Sequence, residues 1–222
     1  VTAGELVDYI RTLAPAAQAA PTGMLLNLLG IAQDEVSREA KLPRKVVQYD
    51  NLTADNQLVL PTDARKETLI AAYLLTKDDA GDVTASRSLR IYDFITASRV
   101  HPDWLSWDAS DETRFIMYDP AHDPDCPRPA PAPSATYPAS FRIIYVQEPT
   151  AITGVDTVVL DGKFTGLASV LAYRVAYLLT REMTFLREFE KAMHALAGQA
   201  RHPTVVPFNP LFEWARPGGA RG

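Results

Sequence analysis

The sequence predicts an α+β fold: helix hairpins at both ends of the chain build a helical bundle, with a β-rich region inserted between them and an extended C-terminal tail. Three observations predict it. Residues 163–200 are the longest proline-free run with a helical period, stepping through Leu167, Leu171, Val175, Leu178 and Leu179 by three and four residues. Residues 1–43 carry two further helical patterns, interrupted at Pro15 and Pro21. Between them the texture changes to short alternating apolar runs separated by turn residues. A two-helix hairpin cannot hide its stripes alone, so the distant hairpins are expected to share a core. The expected plan is a hairpin over 1–43, a β-rich insertion over 44–162, a second hairpin over 163–200 that completes the bundle, and a docking tail over 201–222.

Taken in order, Thr2 and Glu5 form a capping box, opening a helix with Leu6, Ile10 and Leu13 inward that stops before Pro15. Thr22 is expected to cap the second helix, whose stripe is Leu25, Leu28, Ala32 and Val36. Asp34 and Arg38 pair outside at i,i+4, and Pro43 closes the segment. Gly30 sits mid-helix, at a cost of up to about 1 kcal/mol against alanine. Either a close helix crossing or a tolerated glycine accounts for it. Val46–Tyr49 and Gln57–Leu60 read as strands, as do residues 67–76 and 86–92, which flank the turn DDAGD and can pair as a hairpin. ETLIAAYLL also suits a helix. A strand over 113–118 follows Trp104 and Trp107. Residues 119–138 hold prolines at 120, 124, 127, 129, 131, 133 and 138 and read as an irregular loop. FRIIYVQ, from Phe141, is the clearest strand.

In the 163–200 stretch a break is expected between Thr180 and Thr184. The face opposite the main stripe carries Val170, Tyr173, Arg174, Tyr177 and Arg181. A helix apolar on one side and aromatic with arginine on the other has two neighbours, and a subunit interface is expected on this second face. Tyrosines covering core edges with hydroxyls in water are the alternative. After Gly198 the pattern ends. Prolines at 203, 207, 210 and 217 forbid a long helix, yet Phe208, Leu211, Phe212 and Trp214 are too apolar for a solvated arm. Such a segment docks on another chain or lies back on its own; aromatics on a basic segment with Arg216 suit docking.

The 222 residues are 47% hydrophobic and 22% charged, which is globular composition. With 22 basic against 27 acidic residues the net charge is −5, so the chain does not read as a general nucleic-acid binder. Arg201, Arg216 and Arg221 against Glu213 make the tail locally basic. The single cysteine, Cys126, excludes an internal disulfide framework and a Cys-rich zinc site. No secretory leader and no membrane-length apolar run are read, so synthesis in a cytoplasm is expected.

Catalytic motifs are absent. Asp119, His122, Asp123, Asp125 and Cys126 are metal-ligand types at no zinc spacing, interrupted by Pro120 and Pro124. Asp78–Asp82 lacks the calcium-loop order and its closing glutamate. No nucleophile elbow surrounds Ser169, and Gly162-Lys163 lies in no phosphate-binding loop. Trp104 and Trp107 with Asp103 and Asp108 leave open a carbohydrate-binding or hydrolase site, which would need a concave pocket and a perturbed carboxylate. No enzyme activity, cofactor or metal is expected.

Several stretches, in order, resemble the head-to-tail adaptor family of tailed phages, the connector or tail tubular protein A-like ring proteins beneath the portal. IAQDEVSREAKLP from Ile31 is similar to the family's N-x-A-Q-x-E-[IV]-x-R helix, with Gly30 in place of the asparagine. QLVLPTDARK from Gln57 carries its L-P-x-D, with Asp63 as the acid. The tryptophan segment at Asp103–Trp107 and the strand with Y-x-P ending at Pro120 follow. FRIIYVQEPT resembles its L-x-[IV]-x-Y-x-x-x-P strand, and the helix pair Leu167–Ala197 ends the series. The resemblance covers the chain to about residue 200; the proline-rich 119–138 is longer than the family's pattern. It implies a structural virion protein at the neck or tail, not an enzyme, forming homo-oligomeric rings, typically of twelve. Such rings bind the portal protein, meet a downstream tail or nozzle protein and pass DNA without reading its sequence. No membrane is implied. The C-terminal segment would reach the portal, and an acidic body would suit a channel wall that does not hold phosphates. A stopper or tail terminator, mainly β, is the neighbouring alternative.

Overall fold

The computed structural model describes residues 1–53, 58–108, 112–159 and 166–201, without the side chains of 66, 67 and 197–201. The chain divides into two compact units, one built from residues 1–43 and the return from 148 onward, the other from residues 44–147.

In the first unit, α1 (Ala3–Leu13) opens on the capping box: Thr2 Oγ1 accepts from the Glu5 amide and Glu5 Oε2 from the Thr2 amide. A 3-10 turn at Pro15–Ala17 leads to α2 (Thr22–Ala40). Pro21 stands at the α2 N-cap, so Thr22 does not cap the helix; its hydroxyl accepts from Arg11 Nη2 instead. α4 (Leu167–Thr180) and α5 (Met183–Arg201) are separated by Arg181, whose φ of 61° ends α4, and Glu182. Leu6, Ile10, Leu25, Leu29, Val36, Leu171, Val175, Phe189, Met193 and Leu196 share one buried core.

In the second unit, β1 (Arg44–Leu52), β2 (Ala64–Lys77), β3 (Val83–Tyr92), β4 (Phe115–Met117), β5 (Arg128–Ala130) and β6 (Ala139–Gln147) form one sheet in the order β1-β6-β2-β3-β4-β5. All pairs are antiparallel except β3 with β4, whose parallel register sets Ile91 opposite Ile116. β2 and β3 make the hairpin around the Asp78–Asp82 turn, where Asp78 Oδ1 accepts from the Ala80 and Asp82 amides. β6 is buried along most of its length because it lies between β1 and β2. The parallel β3–β4 connection runs through α3 (Phe94–Val100), capped by Asp93, and a 3-10 turn at Trp104–Ser106.

The expected fold class is corrected by this architecture. The protein is mixed α/β, with a curled six-stranded sheet as its principal element and five helices among the described residues, not a helical bundle of N- and C-terminal hairpins carrying an insertion. The physical reason lies in two places. α1 and α2 do not make a hairpin: each packs chiefly on α4, so the apolar stripes meet a shared central helix rather than one another. Long-range pairing also joins β1 through β6 into one continuous sheet, including the Arg-Pro-Ala of β5 inside the supposedly irregular proline stretch. Three local expectations change too. Leu58–Leu60 is not a strand, α3 was not foreseen, and no atom lies within 4 Å of where a Cβ on Gly30 would sit, so no close crossing occurs there.

Candidate functional site

The residues that carry the family resemblance turn out to be fasteners. On α2, Gln33 Nε2 donates to the Thr150 carbonyl at 2.8 Å, tying the helix to the segment after β6. Two residues on, Glu35 Oε2 accepts from Arg174 Nε on α4 at 2.6 Å; the two side chains are 28% and 17% exposed. Arg38 pairs on the surface with Asp34. In the sheet unit, Asp63 accepts from the Tyr145 hydroxyl and from Gln147 Nε2, each at 3.0 Å, clamping the start of β2 to the end of β6. Burial, with the Asp63 bond second, pushes the Tyr145 phenol up to about 12. Motifs far apart in sequence therefore meet in pairs.

The second face of α4 is partly consumed inside its own unit. Val170 is fully buried and has no surface to offer another subunit, which corrects its place in the expected interface. The reason is that α4 has neighbours on both sides within the protomer: α1 and α2 on one, α5 on the other. Arg174 is held by Glu35 and lies over the rings of Tyr177 and Phe189, at 5.4 and 5.2 Å. Tyr173 and Tyr177 are half-buried and Arg181 is exposed, with its guanidinium 5.8 Å from the Tyr177 ring. Tyr173, Tyr177 and Arg181 keep surface for a partner. Phe208, Leu211, Phe212, Trp214 and Arg216, the expected portal-docking residues, lie outside the described residues.

The second candidate site is in the sheet unit. Phe115 on β4 is 1% exposed and is ringed by Tyr92, His101, Trp104 and Trp107, with centroids 5.3 to 6.0 Å away. His101 stacks on Phe115 with 9° between planes, and Arg114 Cζ sits 4.4 Å over Trp107. Trp107 Nε1 donates to Asp103 Oδ2 at 3.1 Å. Beside this cluster a cavity of about 490 Å³ opens, lined by Leu52, Leu58, Trp104, Leu105, Met117 and the Pro127–Pro133 strip. Trp107, Cys126 and Arg128 also border it. Burial, followed by Asp123 nearby, holds the Cys126 thiol above its ordinary value. None of the described lining residues is an aspartate or glutamate. Asp119 is bound to His122 and Asp123 to Arg128. Among the described residues no group of three or more His, Cys, Asp or Glu could hold a metal ion.

Sequence reasoning singled out Trp104 and Trp107 but missed that the prolines at 127, 129, 131 and 133 line the same cavity. The signal was the repeat itself, a proline at every second position from 127 to 133. It also missed two apolar surfaces. Met24 and Ile31 are exposed seven residues apart on α2, and Phe94, Ile95, Val100 and Leu105 are exposed on and after α3. No helix among the described residues is long and apolar enough to cross a membrane. No protein-family model matches the chain, and no curated protein matches it.

Proposed function

We propose that the chain is a structural virion protein, a head-to-tail adaptor that forms a ring under the portal, joins capsid to tail and continues the DNA channel. The observation that carries this reading is the pairing of the family-like motifs. Gln33 and Glu35 of the A-Q-x-E helix bond to Thr150 and Arg174, and Asp63 of L-P-x-D bonds to Tyr145 and Gln147. Motif residues that bond to one another give a physical reason for a chain of this type to carry them together. The net charge of −5 suits a wall that lets DNA pass, because a basic lining would retain phosphates. A ring contact is heterologous and needs two different faces on each subunit. Tyr173, Tyr177 and Arg181 offer one, and the exposed Met24–Ile31 stripe of α2 offers another.

The cavity beside Trp104 and Trp107 favours a second reading, a carbohydrate-binding or hydrolase module. Its described lining lacks the paired carboxylates of glycoside hydrolysis, and Asp103 is occupied by the Trp107 indole. The adaptor reading is therefore the conclusion. Native mass spectrometry of the protein, alone and mixed with portal rings, tests it together with a form ending at Arg201. A discrete ring, or a monomer that becomes a ring on the portal and needs the tail to do so, supports the adaptor. A monomer that ignores the portal, with or without its tail, overturns it.

A further inference from the structure

We propose that the Trp104 cavity is a seat for an extended, proline-containing peptide, and that its occupant is residues 203–214 of a second copy of this chain. The proposal rests on the ring reading for the nearness of that copy.

The cavity fixes the chemistry of its ligand. Trp104 Nε1 is buried and has no acceptor among the described residues. The neighbouring indole is already spent, since Trp107 Nε1 donates to Asp103. Around that donor the walls are mostly Leu52, Leu58, Met117 and the prolines at 127, 129, 131 and 133, whose side chains form no hydrogen bonds, with Thr53, Cys126 and Arg128 as the polar members. So few polar side chains would leave many hydroxyls of a sugar unmet. A peptide needs only one carbonyl for the indole and apolar side chains for the walls. Recognition of an extended proline-containing segment by an aromatic-lined groove works in this way, because the peptide loses little conformational freedom on binding.

The chain itself carries such a segment. HPTVVPFNPLFEW has prolines at 203, 207 and 210, with Val205, Val206, Phe208, Leu211, Phe212 and Trp214 between and after them. Residues 202–222 follow α5, and at about 3.1 Å per residue in extended form they span on the order of 60 Å, enough to reach a neighbour. Charge agrees with this pairing. The segments bordering the cavity carry Asp103, Asp108, Asp119, Asp123 and Asp125 against Arg114 and Arg128; residues 203–214 themselves carry only Glu213, and the basic residues Arg216 and Arg221 follow directly after them. In a free ring the anchors of the tail sit on the adjoining subunit, and the portal competes for them.

Cys126, the one cysteine of the chain, borders the cavity and makes the test direct. Full-length Phe208→Cys and Leu211→Cys are oxidised with copper–phenanthroline at alkaline pH, which favours the reactive thiolate. The expected result is a ladder of disulfide-linked dimers and higher species, absent from the wild type and from the same variants carrying Cys126→Ser. Trp104→Phe, which removes only the donor, and Leu105→Asp, at a side chain 74% exposed and so harmless to folding, should each slow the ladder about tenfold. No product above wild type, an internal disulfide only, or a rate unchanged by both substitutions overturns the proposal. Native masses of the same samples separate the two readings. Rings without cross-links sink this proposal and leave the adaptor; cross-linked pairs that never form rings sink the adaptor and leave the seat.

Discussion

The helical unit and the sheet unit solve the same problem in opposite ways. The helical unit packs its apolar stripes on α4 and joins distant elements with polar pairs, Glu35 to Arg174 and Gln33 to Thr150. The sheet unit stacks rings around Phe115 and leaves a cavity of about 490 Å³ beside them, with a buried indole donor that has no acceptor among the described residues. Close packing with ionic locks suits a scaffold, since every element is specified by at least two neighbours. Open space rimmed by rigid rings and prolines suits binding, since such groups lose little freedom when something docks. The contrast gives the helical unit interlocked packing and the sheet unit an open site.

The largest expected effect falls on the aromatic cluster. Phe115→Ala removes the ring that Tyr92, His101, Trp104 and Trp107 all touch, at a site 1% exposed. The loss should be about 3–5 kcal/mol, read by denaturant unfolding followed through tryptophan fluorescence. A loss below about 1 kcal/mol would mean that the rings hold one another without Phe115, and the contrast with the helical unit would fail.

Next comes the lock on α2. Arg174→Ala strands Glu35 in a site where both side chains are mostly covered, and it also strips the guanidinium from Tyr177 and Phe189. About 2 kcal/mol is expected, less than for a fully buried pair because some solvent reaches both groups. Far-UV circular dichroism in denaturant should report it. A double-mutant cycle with Glu35→Gln should give a coupling of about 1 kcal/mol; additive losses would reduce the pair to an ordinary surface bridge.

These two cases show what was legible in the sequence. The capping box at Thr2 and Glu5, the Asp34–Arg38 pair and the break before Met183 were readable because each is set within about one helical turn. The β2–β3 hairpin was readable from its turn. β5 was not, because Arg-Pro-Ala has no strand signature and exists only through its pairing with β4. The parallel β3–β4 pair, and with it the dominance of one sheet over a bundle, depends on contacts between distant segments. Of the candidate site, Trp104 and Trp107 were visible as residue types, but the cavity was not, since much of its lining comes from Pro127–Pro133. Val170 looked like surface because periodicity counts faces and cannot count neighbours.

A smaller effect concerns the clamp within the sheet. The Tyr145 phenol is held at about 12 by burial and by its bond to Asp63, against an ordinary value of 10.0. Because the folded value is raised, this stabilisation is complete below pH 10 and is lost as pH rises from 10 toward 12. Tyr49, likewise pushed up to about 12, chiefly by burial, loses its contribution over the same window. Stability should therefore fall above about pH 10. Asp63→Asn should cost about 1 kcal/mol at neutral pH and bring the Tyr145 titration down, read as tyrosinate absorbance. An unchanged titration curve would leave burial as the sole cause.

The smallest effect runs in the stabilising direction and bears on what the helical unit leaves for partners. Gly30 lies inside α2 with open space where a Cβ would sit, next to the exposed Ile31. Nothing among the described residues requires a glycine there, so Gly30→Ala should raise stability by up to about 1 kcal/mol through helix propensity alone. The measurement of interest is a pair: the unfolding midpoint of the subunit and its assembly by native mass. A gain in both says that the α2 surface is free of partners. A gain in subunit stability with weaker assembly says that another copy approaches α2 closely at this residue, where a methyl group would intrude. That outcome would place the α2 face of the proposed ring contact at Gly30 and Ile31.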